Sequence, residues 1–231
     1  MSQPFDQSHF LNVLSQVNEL SKKNGQKVKV VAVTKTFPIE TIEAALAIPF
    51  VDFGENYVQE FDEKKQHFKQ KHSPIRWHMI GRIQSNKIKK IFGECELVHS
   101  VDRLELFQKA KEYCERANVK QKILLQINAA NEDSKAGFNQ DELEAHLQSW
   151  LKQTSLLICG FTTMPPLQNQ PEDNRQYFKS LKQLKERLAK YSSITHPLNE
   201  LSMGTSHDFH VAIEEGSTIV RLGTILFGGR S

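Results

Sequence analysis

Residues 28–60 have the sequence VKVVAVTKTFPIETIEAALAIPFVDFGENYVQE, which contains one complete strand–helix–strand unit. The β-branched run Val28 to Thr34 predicts a strand, Pro38 opens a helix, and Phe50 to Phe53 predicts the next strand. The polar turn Gly54 to Asn56 then leads into a second helix, which is predicted to reach about Lys71. Strands joined through a helix in this way lie parallel in one sheet.

The same alternation continues in the rest of the chain, after an amphipathic opening helix at about Phe5 to Lys22. The other predicted strands are Arg76 to Ile80, Leu97 to Val101, Ile123 to Ile127, Leu156 to Phe161, Asn199 to Ser202 and Thr218 to Leu222. Eight strands predict an α/β fold, a single eight-stranded β/α (TIM-type) barrel with an extra N-terminal helix, because doubly wound sheets more often stop at five or six. We expect one domain over residues 1–231, with residues 164–171 forming a loop over the barrel mouth.

Composition predicts an ordinary cytoplasmic protein. The net charge is only +3, and the lysines at 64–65 and 87–90 are interpreted as solvated helix faces, not as a nucleic-acid patch. Three widely spaced cysteines favour a reducing compartment over a disulfide framework. The polar N-terminus and the lack of a long apolar run argue against a signal peptide and against membrane insertion.

Candidate functional residues lie where the strands end, because β/α barrels carry their active sites at the carboxyl ends of the strands. Lys35 directly follows the first strand. One interpretation is a lysine that extends its charged end into water from the strand end. The other is a desolvated amine with a lowered pKa, which can form an imine with a carbonyl compound.

The loops after strands seven and eight favour phosphate binding, because barrels often use these two loops for phosphate. The first is Met203 to Ser206, ahead of a helix at about Asp208, and the second begins with Gly223 and Thr224. Glycine allows close backbone approach to an anion, and hydroxyls add donors, although ordinary turn chemistry explains the same residues.

Arg221 shares a strand face with Gly223 and is therefore expected to point into the barrel mouth. A buried guanidinium requires a partner. A ring nitrogen, a phosphate, Glu214 or Asp208 would each serve, and the strand alone leaves this choice open.

Together these residues resemble a known family, the pyridoxal phosphate homeostasis proteins (YggS/PROSC family), from about Val28 to Gly228. The matching blocks are VTK at 33–35, FGENYVQE at 53–60, WHMIG at 77–81, IQSNK at 83–87, SMG at 202–204 and AIEEGSTIVRLG at 212–223. The resemblance implies a barrel like the N-terminal domain of alanine racemase, with pyridoxal 5'-phosphate held as an internal aldimine on Lys35.

The resemblance also implies a set of cofactor-binding residues, which are Lys35, Asn56, His78, Ser206, Arg221, Gly223 and Thr224. In this assignment Arg221 faces the pyridine nitrogen, while Asn56 and His78 line the pocket beside the ring. Ser206, Gly223 and Thr224 hold the phosphate. The chain departs from the family pattern at Thr205, where a second methionine is usual, and in the loop after strand six.

An arginine at the pyridine nitrogen keeps that nitrogen unprotonated, so the ring is a poor electron sink. Racemisation stays possible, but in alanine racemase it needs a second base from a further domain and a dimer. This chain ends at Ser231, directly after strand eight, and we expect no such domain. The four tyrosines, Tyr57, Tyr113, Tyr177 and Tyr191, all fall in predicted helices.

We therefore expect a regulator that binds pyridoxal phosphate without robust catalysis, as a monomer, and that passes it to apoenzymes dependent on this cofactor. The alternatives are a weak amino-acid racemase and a Schiff-base aldolase that acts on a sugar phosphate. No metal site is expected, since His207 and His210 are interpreted as a surface pair.

Overall fold

The fold is a closed barrel of eight parallel strands in sequential order, as seen in a computed structural model that describes residues 5–71, 74–130, 136–166 and 170–228. The strands are β1 Lys29–Val33, β2 Asp52–Glu55, β3 Arg76–Met79, β4 Leu97–Val101, β5 Gln121–Gln126, β6 Leu156–Thr162, β7 Glu200–Thr205 and β8 Ile219–Leu222. The barrel closes where β8 pairs with β1, with Arg221 opposite Val31. The predicted eight-stranded β/α barrel is confirmed.

Helices surround the barrel. They are α1 Gln7–Lys23, α2 Ile39–Leu46, α3 Val58–Gln70, α4 Leu104–Ala117, α5 Gln140–Trp150, α6 Arg175–Leu188, α7 Phe209–Glu214 and α8 Thr224–Phe227. Short 3-10 segments occur at Ser85–Lys90, Pro171–Asn174 and Ala189–Tyr191. Within the described ranges, no helix has both the length and the apolar composition needed to cross a bilayer.

The extra N-terminal helix, α1, is fixed at its start and along one face. The carboxylate of Asp6 accepts a hydrogen bond from the backbone N–H of His9, which caps the helix. The Phe10 side chain is fully buried and contacts the rings of Phe50 and Phe227. Helix α1 therefore packs where the beginning and the end of the barrel meet.

Most of the core lies between the barrel and its helices, where the strands bury nearly every residue. A second, smaller cluster has one residue from each of five strands, which are Val31, Leu97, Leu124, Cys159 and Ile219. We place this cluster inside the barrel, because side chains from strands that are not neighbours in the sheet, such as β1 and β4, meet only across the interior.

At their carboxyl ends, two strands extend at least two residues beyond the bounds that the sequence patterns indicated. Strand β2 ends at Glu55 instead of Phe53, because Gly54 and Glu55 still pair with β3. Strand β7 ends at Thr205 instead of Ser202, with a register shift against β8. Gly204 has φ 93°, a left-handed conformation that favours glycine, and this lets the strand continue through the irregularity.

Some helix predictions were wrong in detail. Tyr57 precedes α3 as its N-cap residue, and Tyr191 lies in a 3-10 segment. The lysines at 87–90 do lie on a helical segment, a 3-10 helix, on which Lys87 and Lys89 are exposed as expected. Of the loop expected at residues 164–171, the part at 167–169 lies outside the described residues.

Candidate functional site

A cavity of about 220 Å³ opens at the carboxyl ends of the strands. It brings together six of the residues named from the sequence, which are Lys35, Asn56, Ser206, Arg221, Gly223 and Thr224. Val33, Ile80 and Met164 supply apolar wall, and His207 lines the cavity from its exposed side. The cavity therefore combines one lysine, one arginine and two strand-end loops.

The backbone on both sides of Lys35 is held by acidic side chains. The buried hydroxyl of Thr34 donates to Glu55 Oε1 at 2.6 Å. The N–H of Thr36 donates to Glu60 Oε2 at 2.7 Å, and Thr36 has a φ of 63°, which a β-branched residue rarely adopts. Because both neighbours are fixed, the direction in which Lys35 leaves the strand is fixed as well.

Lys64 donates hydrogen bonds to these same acidic side chains. The prediction that Lys64 lies on a solvated helix face was wrong. Its side chain is buried, and its ammonium donates to Thr34 O and Glu55 Oε1, each at 2.8 Å, and to Glu60 Oε2 at 3.2 Å. Burial raises the pKa of Glu55, and Lys64 and Thr34 only partly offset this shift. The i, i+4 spacing of Glu60 and Lys64 was visible in the sequence, but it does not distinguish a buried pair from an exposed one.

Arg221 points into the barrel, as the strand alternation predicted, and only 4% of its surface is exposed. Its NH1 lies 2.7 Å from three acceptors that share its two N–H donors, namely Thr162 Oγ1 and the carbonyl and hydroxyl oxygens of Ser202. Its NH2 donates to the Thr163 carbonyl at 2.9 Å and contacts the Met164 sulfur. These partners are all neutral groups.

The charge on Arg221 persists at neutral pH, although burial lowers its pKa to about 10, with Asp208 opposing this shift. Of the two carboxylates considered from the sequence, Glu214 instead bonds to Arg175 at 2.6 Å. Asp208 accepts hydrogen bonds from the backbone and hydroxyl of Thr205. Among the described residues, neither carboxylate is hydrogen-bonded to Arg221.

His78 does not line the cavity, in contrast to the position that the resemblance implied. Its imidazole is fully buried, with Nε2 3.0 Å from Asp52 Oδ1 and Nδ1 3.0 Å from His99 Nε2. His99 Nδ1 lies 2.8 Å from the hydroxyl of Ser202, to which Arg221 donates. His78 is the strand-register partner of Leu97, one of the five side chains that form the smaller cluster inside the barrel. The His78 side chain therefore lies deeper in the barrel than the cavity. We call the connected series the interior chain; it consists of Arg221, Ser202, His99, His78 and Asp52.

The loops after β7 and β8 meet, as expected for a phosphate site. The Ser206 hydroxyl accepts hydrogen bonds from the backbone N–H groups of Gly223 at 3.1 Å and Ile225 at 3.2 Å. A Cβ at position 223 would lie 3.3 Å from the carbonyl oxygen of Val33, so the glycine keeps this backbone close to β1. The two loops and the end of β1 therefore form one wall of the cavity.

Comparison with known proteins shows to which family the chain belongs. The model of the alanine racemase N-terminal domain family matches residues 11–231. The pyridoxal phosphate homeostasis protein of Aquifex aeolicus is 37% identical over 221 residues, which cover 94% of this chain and 95% of that protein. The protein of the same name from Synechocystis is 40% identical over 203 residues, covering 88% and 92%. The chain belongs to the pyridoxal phosphate homeostasis protein family.

Solved structures extend the likeness to three dimensions. PipY of Synechococcus elongatus with pyridoxal phosphate bound is 29% identical, with a TM-score of 0.79 over 92% of this chain and 99% of PipY. Alanine racemase from Corynebacterium glutamicum has a TM-score of 0.69 over 95% of this chain and 61% of its own. At 13% identity, the racemase shows a shared fold only.

A second depression adjoins the cavity, and it includes part of the basic stretch at 87–90 whose role the sequence leaves open. It is a groove of about 610 Å³ that shares Asn56 with the cavity and includes Tyr57, Arg82, Lys87 and Lys90. Tyr57 is more than half exposed there. Within the described part of the chain, no tyrosine lines the cavity itself.

Proposed function

We propose that this protein binds pyridoxal phosphate as a Schiff base on Lys35 and serves intracellular pyridoxal phosphate homeostasis without robust catalysis of its own. The observation that carries the proposal is that Lys35, Arg221 and the loops after β7 and β8 line one small cavity. Family membership and the pyridoxal phosphate bound to PipY support it. Three free thiols, at Cys95, Cys114 and Cys159, suit a reducing compartment.

The residues around the cavity fit pyridoxal phosphate at separate points. Ser206 and Thr224 offer hydroxyl donors to a phosphate, and the Gly223 N–H, which bonds to the Ser206 hydroxyl, lies beside them. Arg221 brings a buried positive charge whose hydrogen-bond partners are neutral. Asn56 Oδ1 is buried without a hydrogen-bond partner among the described residues, and a ligand would supply one.

Pyridoxal phosphate, when bound, supplies an aldehyde that forms a reversible Schiff base with a lysine amine and a ring that can accept electrons. The role of Arg221 is to oppose protonation at the ring nitrogen, which keeps the ring a poor electron sink. Val33, Ile80 and Met164 give the cavity an apolar wall. These features suit storage and release of the cofactor better than catalytic turnover. We extend the proposal to a monomer that transfers the cofactor to apoenzymes.

The test is the visible absorption spectrum of the purified protein, before and after borohydride. We expect a yellow protein that bleaches on reduction, with the label at Lys35, and a Lys35→Ala variant that takes up no label. A matched control is Lys120→Ala, since Lys120 is an exposed lysine before β5. A protein that stays colourless after incubation with pyridoxal phosphate would refute the proposal and favour the aldolase that acts on a sugar phosphate.

Exchange of the α-hydrogen of amino acids in deuterated water separates the carrier from the racemase. We expect exchange no faster than with free pyridoxal phosphate, because Arg221 leaves the ring a poor electron sink. We also expect no inversion of the amino acid, because inversion needs a second base on the face opposite Lys35. His207 is the titratable side chain, besides Lys35 and Arg221, that lines the cavity within the described residues. Rapid exchange that is lost in His207→Ala would establish a weak racemase instead.

A further inference from the structure

The interior chain has one consistent direction of hydrogen bonding. A guanidinium only donates, so the Ser202 hydroxyl accepts from Arg221 and is left with its own proton to donate. The hydroxyl lies 2.8 Å from His99 Nδ1, which is therefore the acceptor of that proton. An imidazole that accepts at Nδ1 carries its proton on Nε2 when it is neutral.

The same reasoning continues through the second imidazole. His99 Nε2–H donates to His78 Nδ1 at 3.0 Å, so His78 also carries its proton on Nε2. His78 Nε2–H then donates to Asp52 Oδ1 at 3.0 Å. Every donor in the series has an acceptor, and the series ends on a carboxylate.

The electrostatics favour this arrangement. Burial lowers the pKa of His78 and, more strongly, that of His99, so both imidazoles are neutral near pH 7. For Asp52, burial raises the pKa, but hydrogen bonds from His78 and Arg76 outweigh it and leave the pKa lowered. Arg76 donates to both carboxylate oxygens and is half exposed at the start of β3. The charged end of the interior chain thus lies at the barrel end opposite the cavity.

Two imidazoles inside a barrel are costly, because apolar side chains of similar size would fill the space without buried polar atoms. The direct hydrogen-bond partners of the guanidinium are neutral, whereas the interior chain connects it to a carboxylate through polarised hydrogen bonds. We propose that the interior chain is a positioning device that fixes the orientation of the Arg221 guanidinium beneath the cavity and, through it, the ring of bound pyridoxal phosphate. This inference rests on the proposed function, since only a ring in the cavity makes that orientation matter.

The first test reads the chain directly, by two-dimensional ¹H–¹⁵N spectra of the histidine side chains in the purified protein. Among the signals of the nine histidines, those of His78 and His99 are assigned from the His78→Asn and His99→Asn variants. We expect His78 and His99 both neutral with the proton on Nε2 from pH 7 to 8. A proton on Nδ1 of either ring would overturn the proposal.

The second test compares two variants, Ser202→Ala and Ser217→Ala. Both hydroxyls are fully buried, but that of Ser217 bonds to backbone carbonyls such as Met203 O, outside the interior chain. We expect Ser202→Ala to raise the dissociation constant of pyridoxal phosphate about tenfold, as for one lost hydrogen bond to a charged group, and to shift the visible band. Ser217→Ala should leave both within twofold of the wild-type values.

The outcomes separate the two proposals. If the wild type binds pyridoxal phosphate and both serine variants behave alike, the positioning role is wrong and the proposed function stands. If the wild type binds none, the proposed function fails, and the interior chain is decided by the histidine spectra alone. If Ser202→Ala does not fold, His99→Asn replaces it, because asparagine keeps an acceptor near Ser202 and removes the link to His78.

Discussion

Replacing Lys64 by methionine should destabilise the fold far more than its place on a surface helix suggests. Methionine keeps the length of the side chain but removes the ammonium that bonds to Thr34, Glu55 and Glu60. Breaking a buried ion pair by removing one partner costs about 3–5 kcal/mol, against about 0.3–0.5 for an exposed helix pair. For a chain of this size, a loss of about 4 kcal/mol lowers Tm by roughly 8–16 °C.

The loss should also depend on pH, with a sign that follows from Glu55. Its pKa is raised by burial, and Lys64 is the main group that lowers it. Without Lys64, the folded pKa rises further above the unfolded value, so the native state holds a proton that the unfolded chain has released. The free energy of unfolding of Lys64→Met should therefore increase as the pH falls from 8 toward 5.

The assay is urea unfolding of the wild type, Lys64→Met, the double variant Glu55→Gln/Lys64→Met, and Lys69→Met as an exposed control on α3. Glutamine can still accept from Thr34, so the double variant should recover about half of the loss, roughly 2 kcal/mol. A loss below about 1 kcal/mol in Lys64→Met, matching Lys69→Met and independent of pH, would refute the reasoning.

Two further predictions concern the walls and the base of the barrel. Gly81→Ala should lower the free energy of unfolding by about 2–3 kcal/mol, because a Cβ would lie 2.0 Å from the backbone oxygen of Asn56. It should also weaken pyridoxal phosphate binding. Urea unfolding measures the first effect, and cofactor titration measures the second. Asp52 has a lowered pKa, so its stabilising contribution is present above the unfolded value and is lost as the pH falls through the folded one. Asp52→Asn should thus be less stable than the wild type at pH 7 and should lose less stability below about pH 4 in acid unfolding. Plots of unfolding free energy against pH that run parallel for the two proteins would contradict this.

Local patterns were sufficient for the fold and for one wall of the site. Alternating apolar runs and helical stretches identified every strand, and β4 was placed with the bounds it has in the structure. The ends of the strands were harder, since β2 and β7 continue through glycines that favour turns when only neighbours are considered. Strand ends in a barrel are set by pairing with the adjacent strands, which is a long-range property.

Packing across the barrel decided the rest. Lys64 has the local pattern of a solvated residue, and only the approach of Glu55 from β2 makes it buried. The interior chain joins residues as distant as His99 and Ser202, 103 positions apart, because tilted strands bring their inward side chains into shared layers. Alternation along a strand indicates which side chains point inward, but not which of them meet, since that depends on the register of all eight strands. The sequence alone therefore identifies which residues lie at the strand ends, whereas the polar connection from Asp52 to Arg221 exists only once the barrel has closed.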